Sequence, residues 1–400
     1  MRHAVAFSLA ALAGALAASA QPITIGETVK VRSTILGEER TILVSTPSRY
    51  GQGQERYPVL YMTDGDAHLT HARGTVDFLA HNGLMPDLII VGVTNTNRTR
   101  DLAPTRWAQP VPGNPGRTAA LGGGADAFLD FFEKELIPYV DGHYRTAPYR
   151  IFAGHSLGGL LALYTLMARP DMFNAVIAAS PALLWDDGFI VQRAHEFLKD
   201  RKELPRTLFV TMADEEQFQP APSRFEQLRT ILAASKARGF VWDSKSMPEE
   251  THGTVVLRSY YWGLRKIFDG WQLPLDRRVG FTGSLGDLKR HYAGLSKRFG
   301  IEVVPSEQLV NQIGYQSLGS NDVEDAIGFF RYNVELHPGS ANVYDSLAEA
   351  LGRAGKTEES LADYEKAVAR AKETNDPLLE VLSANRDRAV AAAKPKPSGP

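Results

Sequence analysis

The sequence predicts an α/β fold with a mainly parallel sheet, followed by a small all-α region. Three observations predict it. Short apolar runs alternate with helical patterns from Ile23 to about Trp271. One of those runs stops at Gly154-His155-Ser156-Leu157-Gly158-Gly159 and passes straight into an apolar helix pattern. Beyond residue 306 a two-helix pattern recurs with a step of 347 − 313 = 34 residues.

The first twenty residues read as a targeting segment. Arg2 and His3 give a basic start, Ala4 to Ala17 is apolar but too short to span a bilayer, and Ala18-Ser19-Ala20 is a small-x-small cleavage site. The mature chain is expected to begin at Gln21 and to be exported, periplasmic or secreted. With no cysteine, it uses neither disulfides nor a lipid anchor at the cleavage point. The composition is globular, 44% hydrophobic and 22% charged. The formal charge is 44 − 46 = −2, and −3 once Arg2 is lost, which speaks against nucleic acid and anionic membranes as partners. No other apolar run is long enough for a membrane span.

The elements follow in order. Thr28–Leu36 and Arg40–Thr46 alternate polar and apolar residues, as half-exposed antiparallel strands do. Pro58–Thr63, Asp87–Thr94, Arg150–Ala153, Phe173–Ala179, Thr207–Met212 and Phe240–Ser244 follow, several of them continuous apolar runs of the kind found in parallel strands covered on both faces. Helices are expected at about Leu69–Ala80, Asp126–Val140, Leu157–Ala168, Val191–Lys199, Ser223–Arg238 and Thr254–Phe268. Residues 95–124, rich in Pro, Gly, Arg and Asn, read as one long loop.

Gly154, Ser156 and Gly158 fit Gly-x-Ser-x-Gly, which sets a serine hydroxyl on a strained strand-to-helix turn. The helix N-terminus behind it aims N–H groups at the place where an oxyanion would form. A serine nucleophile needs a base, and the base needs an orienting acid. Of the ten histidines, His155 is too close along the turn, and His195 lies in a helix pattern. His252, after the last strand and before the last helix, is left. The acid should follow the strand Thr207–Met212, where Asp214, Glu215 and Glu216 stand in a row; residue chemistry does not choose among them. Of the two oxyanion donors, one is the N–H of Leu157, after the serine. The other is assigned to Asp66, in Thr63-Asp64-Gly65-Asp66, whose glycine lets the backbone turn. Asp64 and Asp66 as a metal pair is the competing reading. The chemistry calls for no cofactor and no metal.

Five stretches carry a family resemblance: Tyr57-Pro58-Val59-Leu60-Tyr61-Met62-Thr63-Asp64-Gly65-Asp66, Glu135-Leu136-Ile137-Pro138-Tyr139-Val140, Gly154 to Gly159, Ser180-Pro181-Ala182-Leu183-Leu184-Trp185, and His252-Gly253. Residues 23 to 270 resemble the esterase family of α/β-hydrolases that includes esterase D-like enzymes, feruloyl esterases and siderophore esterases, with the nearest look to the siderophore-esterase-like branch. The resemblance implies an α/β-hydrolase fold and a serine hydrolase acting on carboxylic esters, siderophore or other aryl or lactone esters among them. In the family the acid ends a Gly-x-x-acid stretch; with Ala213 in the place of the glycine, that selects Glu216. Some siderophore-esterase relatives use a Ser–His dyad, and the family also holds mycolyl transferases, so acyl transfer to an alcohol stays open. Trp185 either walls the acyl pocket or belongs to the core. Arg98, Arg100 and Arg106 either meet an anionic or catechol-rich ester or are solvated loop residues.

The expected division is a signal peptide at 1–20, a hydrolase domain at 21–272, a helical connector at 273–306 with one amphipathic helix Leu285–Phe299, helical repeats at 307–393 and a tail at 394–400. The repeats resemble tetratricopeptide repeats: Ile313-Gly314, Ala326 and Phe330 recur as Leu347-Ala348, Ser360 and Tyr364. Two repeats with a last helix are few for independent stability, so the array should pack on the hydrolase or on another subunit, through self-association or a protein partner. A repeat-based scaffold with a vestigial hydrolase is the rival function; the complete Ser, acid and His set argues against it.

Overall fold

The structure is a computed structural model and describes residues 23–393 apart from 53, 112, 113 and 219. The targeting segment and tail read from the sequence lie outside these residues.

Among the described residues ten strands form: β1 Glu27–Arg32, β2 Glu39–Ser45, β3 Tyr57–Met62, β4 Ile89–Val93, β5 Arg106–Val111, β6 Asn114–Gly122, β7 Thr146–His155, β8 Ala175–Ala179, β9 Thr207–Ala213 and β10 Val241–Met247. Eight of them make one sheet in the order β1-β2-β4-β3-β7-β8-β9-β10. β1/β2 and β2/β4 pair antiparallel, and β3 pairs parallel with both β4 and β7. Each central strand alternates between two cores, as a period of two dictates. Val59 and Tyr61 face one side, with Phe152 and Val176; Leu60 and Met62 face the other, with Ile151, Ala153 and Ile177.

Helices cover both faces: α1 Gly65–His81, α2 Arg98–Leu102, α3 Ala125–Phe131, α4 Ile137–His143, α5 Leu157–Ala168, α6 Phe189–Leu198, α7 Ala221–Ala234 and α8 Val255–Ile267. The helix expected over 126–140 is interrupted by a π-helical turn at Phe132–Leu136. Pro138, with no N–H and a ring that collides with the preceding turn, explains the break.

The order of the strands reverses at β3. The chain goes from β3 to β4 on one side and later to β7 on the other. The carboxyl ends of β3 and β7 therefore open a crevice at the sheet's switch point, the place where such sheets bind ligands.

Residues 95–124 are not one loop. They hold α2 and the antiparallel hairpin β5–β6. Long-range contacts order this stretch: Trp107 packs edge-on against Trp185 at 5.3 Å, and Trp185 Nε1 donates to Thr105 Oγ1 at 3.1 Å.

The connector helix α9, Leu285–Phe299, forms as expected, opened by a Ser284/Asp287 capping box and closed by Gly300 at φ 64°. It joins the two parts of the chain. Leu295 and Phe299 enter the core of the sheet domain, with the Phe299 ring 4.9 Å from Tyr149 and 5.0 Å from Phe268, while Arg298 donates to the carbonyls of Ile267 and Asp269. Leu288 packs with Val310, Ile313 and Phe329 of the next helices. Those helices are α10 Glu307–Gly319, α11 Val323–Leu336, α12 Ala341–Arg353, α13 Thr357–Thr374 and α14 Leu379–Ala393. A Cβ on Gly314 of α10 would lie 2.5 Å from the Phe330 ring of α11, and Ser360 Oγ of α13 donates to the Ala348 carbonyl of α12 at 2.7 Å, so both helix pairs pack closely.

Candidate active site

The nucleophile turn follows from its glycines. A Cβ on Gly154 would sit 2.2 Å from the Gly158 carbonyl oxygen, one on Gly158 would sit 2.2 Å from Thr63 Oγ1, and one on Gly159 would sit 2.9 Å from Pro181 Cα. Only glycine fits there, and the turn leaves Ser156 at φ 58°, ψ −115°, a strained conformation for a residue with a side chain. The Ser156 N–H donates to the Ala179 carbonyl at 3.0 Å, and its own carbonyl accepts from Leu160 at 2.9 Å and Ala182 at 3.0 Å. The serine is thus fixed between β8 and its own helix.

Two loops bring the other groups. After β9 the chain reads Ala213-Asp214-Glu215-Glu216; after β10 it reaches Thr251-His252-Gly253. The Asp214 N–H donates to the Glu250 carbonyl at 2.9 Å and ties the loops together. Across this tie His252 Nδ1 donates to Glu215 Oε1 at 2.6 Å. The Glu215 side chain is 4% exposed, buried among the site residues. The expected carboxylate partner of His252 is thereby corrected: Nδ1 meets Glu215, not Glu216. Asp214 and Glu216 are exposed, and Glu216 opens a short 3₁₀ turn that carries it outward. The glycine-based motif count misses by one residue, and no local feature of three acids in a row announces which one turns inward.

Ser156, His252 and Glu215 line one cavity of about 190 Å³, with Ser180, Pro181, Ala182, Leu183, Leu184, Met212 and Ala221 as its walls. The walls are mainly apolar. His155 takes a separate role: its Nε2–H donates to the His252 carbonyl at 2.7 Å. Burial, then the neighbouring His252, lowers its pKa from 6.5 to about 4. It is neutral near pH 7 and holds the His252 backbone in place.

Leu157 opens α5, and Asp66 lies in the first turn of α1, so both present N–H groups from a helix start. The two starts butt together. A Cβ on Gly158 would lie 2.2 Å from Thr63 Oγ1 and 3.4 Å from Asp64 Oδ2, the residues that lead into α1. The Asp66 side chain is exposed. The Asp64 carboxylate is taken up by Arg98 Nε at 2.6 Å, Arg98 Nη2 at 3.1 Å and Asn95 Nδ2 at 2.6 Å. Among the described residues, no group of three or more His, Asp or Glu is placed to hold a metal ion.

None of the three expected pocket residues lines this cavity. Arg98 is held by Asp64 and the His155 carbonyl. Arg100 pairs with Glu38 and Asp101. Trp185, 7% exposed, is core beneath the β5–β6 hairpin and is absent from the cavity walls. Tryptophans and arginines in a Pro/Gly-rich stretch invite a ligand-binding reading, yet here each has a partner distant in sequence that holds the inserted hairpin and α2 in place.

Comparison with known proteins bears on the family and the fold. The family model described as Putative esterase matches residues 33–236. The chain is 31% identical over 239 residues to the ferri-bacillibactin esterase BesA of Bacillus subtilis, covering 55% of this chain and 82% of that one. It is 32% identical over 203 residues to the siderophore triacetylfusarinine C esterase of Aspergillus fumigatus, covering 46% and 66%. An IroE-like serine hydrolase from Shewanella oneidensis superposes with a TM-score of 0.61 at 28% identity, over 76% of this chain and 98% of that one. An uncharacterised protein from Capnocytophaga ochracea, 18% identical, shares the fold with a TM-score of 0.68 over 92% of this chain, which takes in the C-terminal helices. With more than half the chain matched by that family model, the chain belongs to this esterase family and is a carboxylic-ester hydrolase on an α/β-hydrolase fold.

Proposed function

We propose that the protein is an exported serine esterase that cleaves siderophore-type or related aryl and lactone esters through an acyl-enzyme. The observation that carries this reading is the 2.6 Å bond from His252 Nδ1 to buried Glu215, in the cavity that Ser156 also lines. A carboxylate accepting Nδ1–H keeps the basic lone pair on Nε2. Ser156 Oγ then attacks the ester carbonyl carbon while its proton passes to His252 Nε2. Glu215 stabilises the imidazolium, and the N–H groups of Leu157 and Asp66 receive the carbonyl oxygen as it becomes an anion. The C–O bond breaks, His252 returns the proton to the leaving alkoxide, and the alcohol departs. A water molecule, deprotonated by the same histidine, then cleaves the acyl-enzyme and restores Ser156.

The substrate class rests on relatives named for siderophore esters and on the apolar cavity beside the serine. At about 190 Å³ the cavity has room for a group about the size of one aromatic ring. Export rests on Arg2 to Ala20. The C-terminal helices, docked through α9, serve binding or self-association and contribute no residue to the reaction. A panel of nitrophenyl, feruloyl and trilactone esters, run with the parent and Ser156→Ala, tests the reading. Turnover of trilactones or aryl esters that Ser156→Ala abolishes supports it. Ester turnover that survives Ser156→Ala removes the serine mechanism, and a parent that cleaves only short alkyl esters removes the substrate class.

A further inference from the structure

The proposed reaction needs two N–H groups from two separate elements, and the structure contains a part that connects those elements. Asp64 precedes Gly65 and Asp66 at the start of α1. It has φ 54° and ψ 43°, the left-handed region, without being glycine. Its side chain makes no capping bond to its own helix. The carboxylate turns away and meets the Arg98 fork, Nε at 2.6 Å on Oδ1 and Nη2 at 3.1 Å on Oδ2, with Asn95 Nδ2 at 2.6 Å and Thr63 Oγ1 at 3.2 Å as further donors. Burial alone would raise the Asp64 pKa, but the Arg98 bond and charge and the Asn95 bond hold it below the usual carboxylate range.

The same Arg98 Nη2 donates to the carbonyl of His155 at 3.0 Å. That carbonyl belongs to the peptide that leads into Ser156. The other side of this peptide, the Ser156 N–H, is held by the Ala179 carbonyl at 3.0 Å. The peptide plane before the nucleophile is thus held from both sides, one of them by Arg98. The same guanidinium therefore holds two positive-φ junctions: the one before the Asp66 N–H and the one before the Leu157 N–H.

We propose that Arg98 is a positioning residue that holds the two halves of the oxyanion hole in register. It does so by tying the Asp64 turn to the peptide before Ser156. The inference rests on the serine-esterase reading of this site. A lysine cannot replace the fork, because a point ammonium lacks the planar pair of N–H groups that meets a carboxylate and a carbonyl together. A displaced oxyanion donor weakens the transition state and leaves substrate binding little changed, so the effect falls on kcat and not on KM.

The test uses the full mature chain with a small nitrophenyl ester. Arg98→Lys and Arg98→Ala should lower kcat by roughly 10²-fold with KM within about threefold. Adding methylguanidinium to Arg98→Ala should recover part of kcat. Asp64→Asn should lower kcat in the same way, and the double variant should be little worse than either single one. Parental kcat in Arg98→Lys, with only a lower melting temperature, would show a fold brace and overturn the proposal. A raised KM at parental kcat would make Arg98 a substrate contact and overturn it too. If Arg98→Lys does not fold, Asp64→Asn carries the same kcat-against-KM reading. Ser156→Ala separates the two levels. If it retains turnover, the serine reading itself is lost; if it is dead while Arg98→Lys is parental, only the present inference is lost.

Discussion

Glu215→Gln probes the site most informatively among the positioning groups. The substitution keeps size and shape but removes the charge that accepts the His252 Nδ1–H at 2.6 Å. A hydrogen bond to a charged group is worth about 1.5–3 kcal/mol, and each 1.36 kcal/mol of barrier is tenfold in rate. Lost stabilisation of the imidazolium alone therefore costs roughly 10- to 150-fold. The amide can also offer its NH₂ to Nδ1 and so favour the wrong tautomer, an effect worth about 10⁴ where an analogous aspartate is replaced. With the Glu215 side chain only 4% exposed, solvent cannot supply a substitute acceptor. We expect kcat to fall between roughly 10²- and 10⁴-fold with KM within a few-fold. Asp214→Asn and Glu216→Gln, both exposed, should stay within about threefold, since surface charge is screened by salt. Steady-state kinetics of the three variants on one nitrophenyl ester decides it. A crippled Glu216→Gln beside a near-parental Glu215→Gln would refute the geometric assignment, and three near-parental variants would mean a Ser–His dyad.

Other outcomes follow from the same structure. Ala221→Leu should fill part of the 190 Å³ cavity and lower kcat/KM for an aryl ester relative to an acetyl ester by 10-fold or more, since about one methylene of fit is worth roughly 1–3 kcal/mol; an unchanged ratio would take the substrate out of that cavity. A chain ending at 305 should stay folded and active on a small ester. One ending at 277 loses Leu295, Phe299 and Val303 from the hydrolase core, each worth roughly 1.5–3 kcal/mol, and should melt well below it; equal melting temperatures would show that α9 stabilises nothing. His155 has its folded pKa lowered from 6.5 to about 4, so between these values the unfolded chain binds the proton that the folded chain refuses. Its contribution is fully present above 6.5 and is lost as pH falls toward 4, by at most about 3 kcal/mol. His155→Gln, which keeps a donor for the His252 carbonyl, should flatten the fall in stability over that window in denaturant titrations; an unaltered slope would refute the burial effect.

Much of the fold was legible because it is written in local periods. α5 and α9 fall on the residues that their apolar patterns mark, and the strands read as continuous apolar runs are the ones buried on both faces. Ser156 and His252, singled out by a Gly-x-Ser-x-Gly turn and a histidine after the last strand, line one cavity in the structure. What was not legible depends on contacts distant in sequence. The β5–β6 hairpin stands because Trp107 meets Trp185, not because residues 95–124 have strong strand propensity. Arg98 read as either a ligand contact or a solvated loop residue, because its partners, Asp64 and the His155 carbonyl, are 34 and 57 residues away. Glu215 could not be chosen from three adjacent acids, since which of them turns inward depends on the tie between Asp214 and Glu250 that joins two loops.

The central claim is that Ser156 is the nucleophile of an acyl-enzyme. Treating the mature protein with a fluorophosphonate and reading its intact mass, then mapping the modified peptide, tests that claim most directly. The account predicts one adduct per chain, located on Ser156, with loss of ester turnover in step with labelling and no adduct in Ser156→Ala. Labelling at another residue, or complete labelling of Ser156 with turnover undiminished, would contradict it.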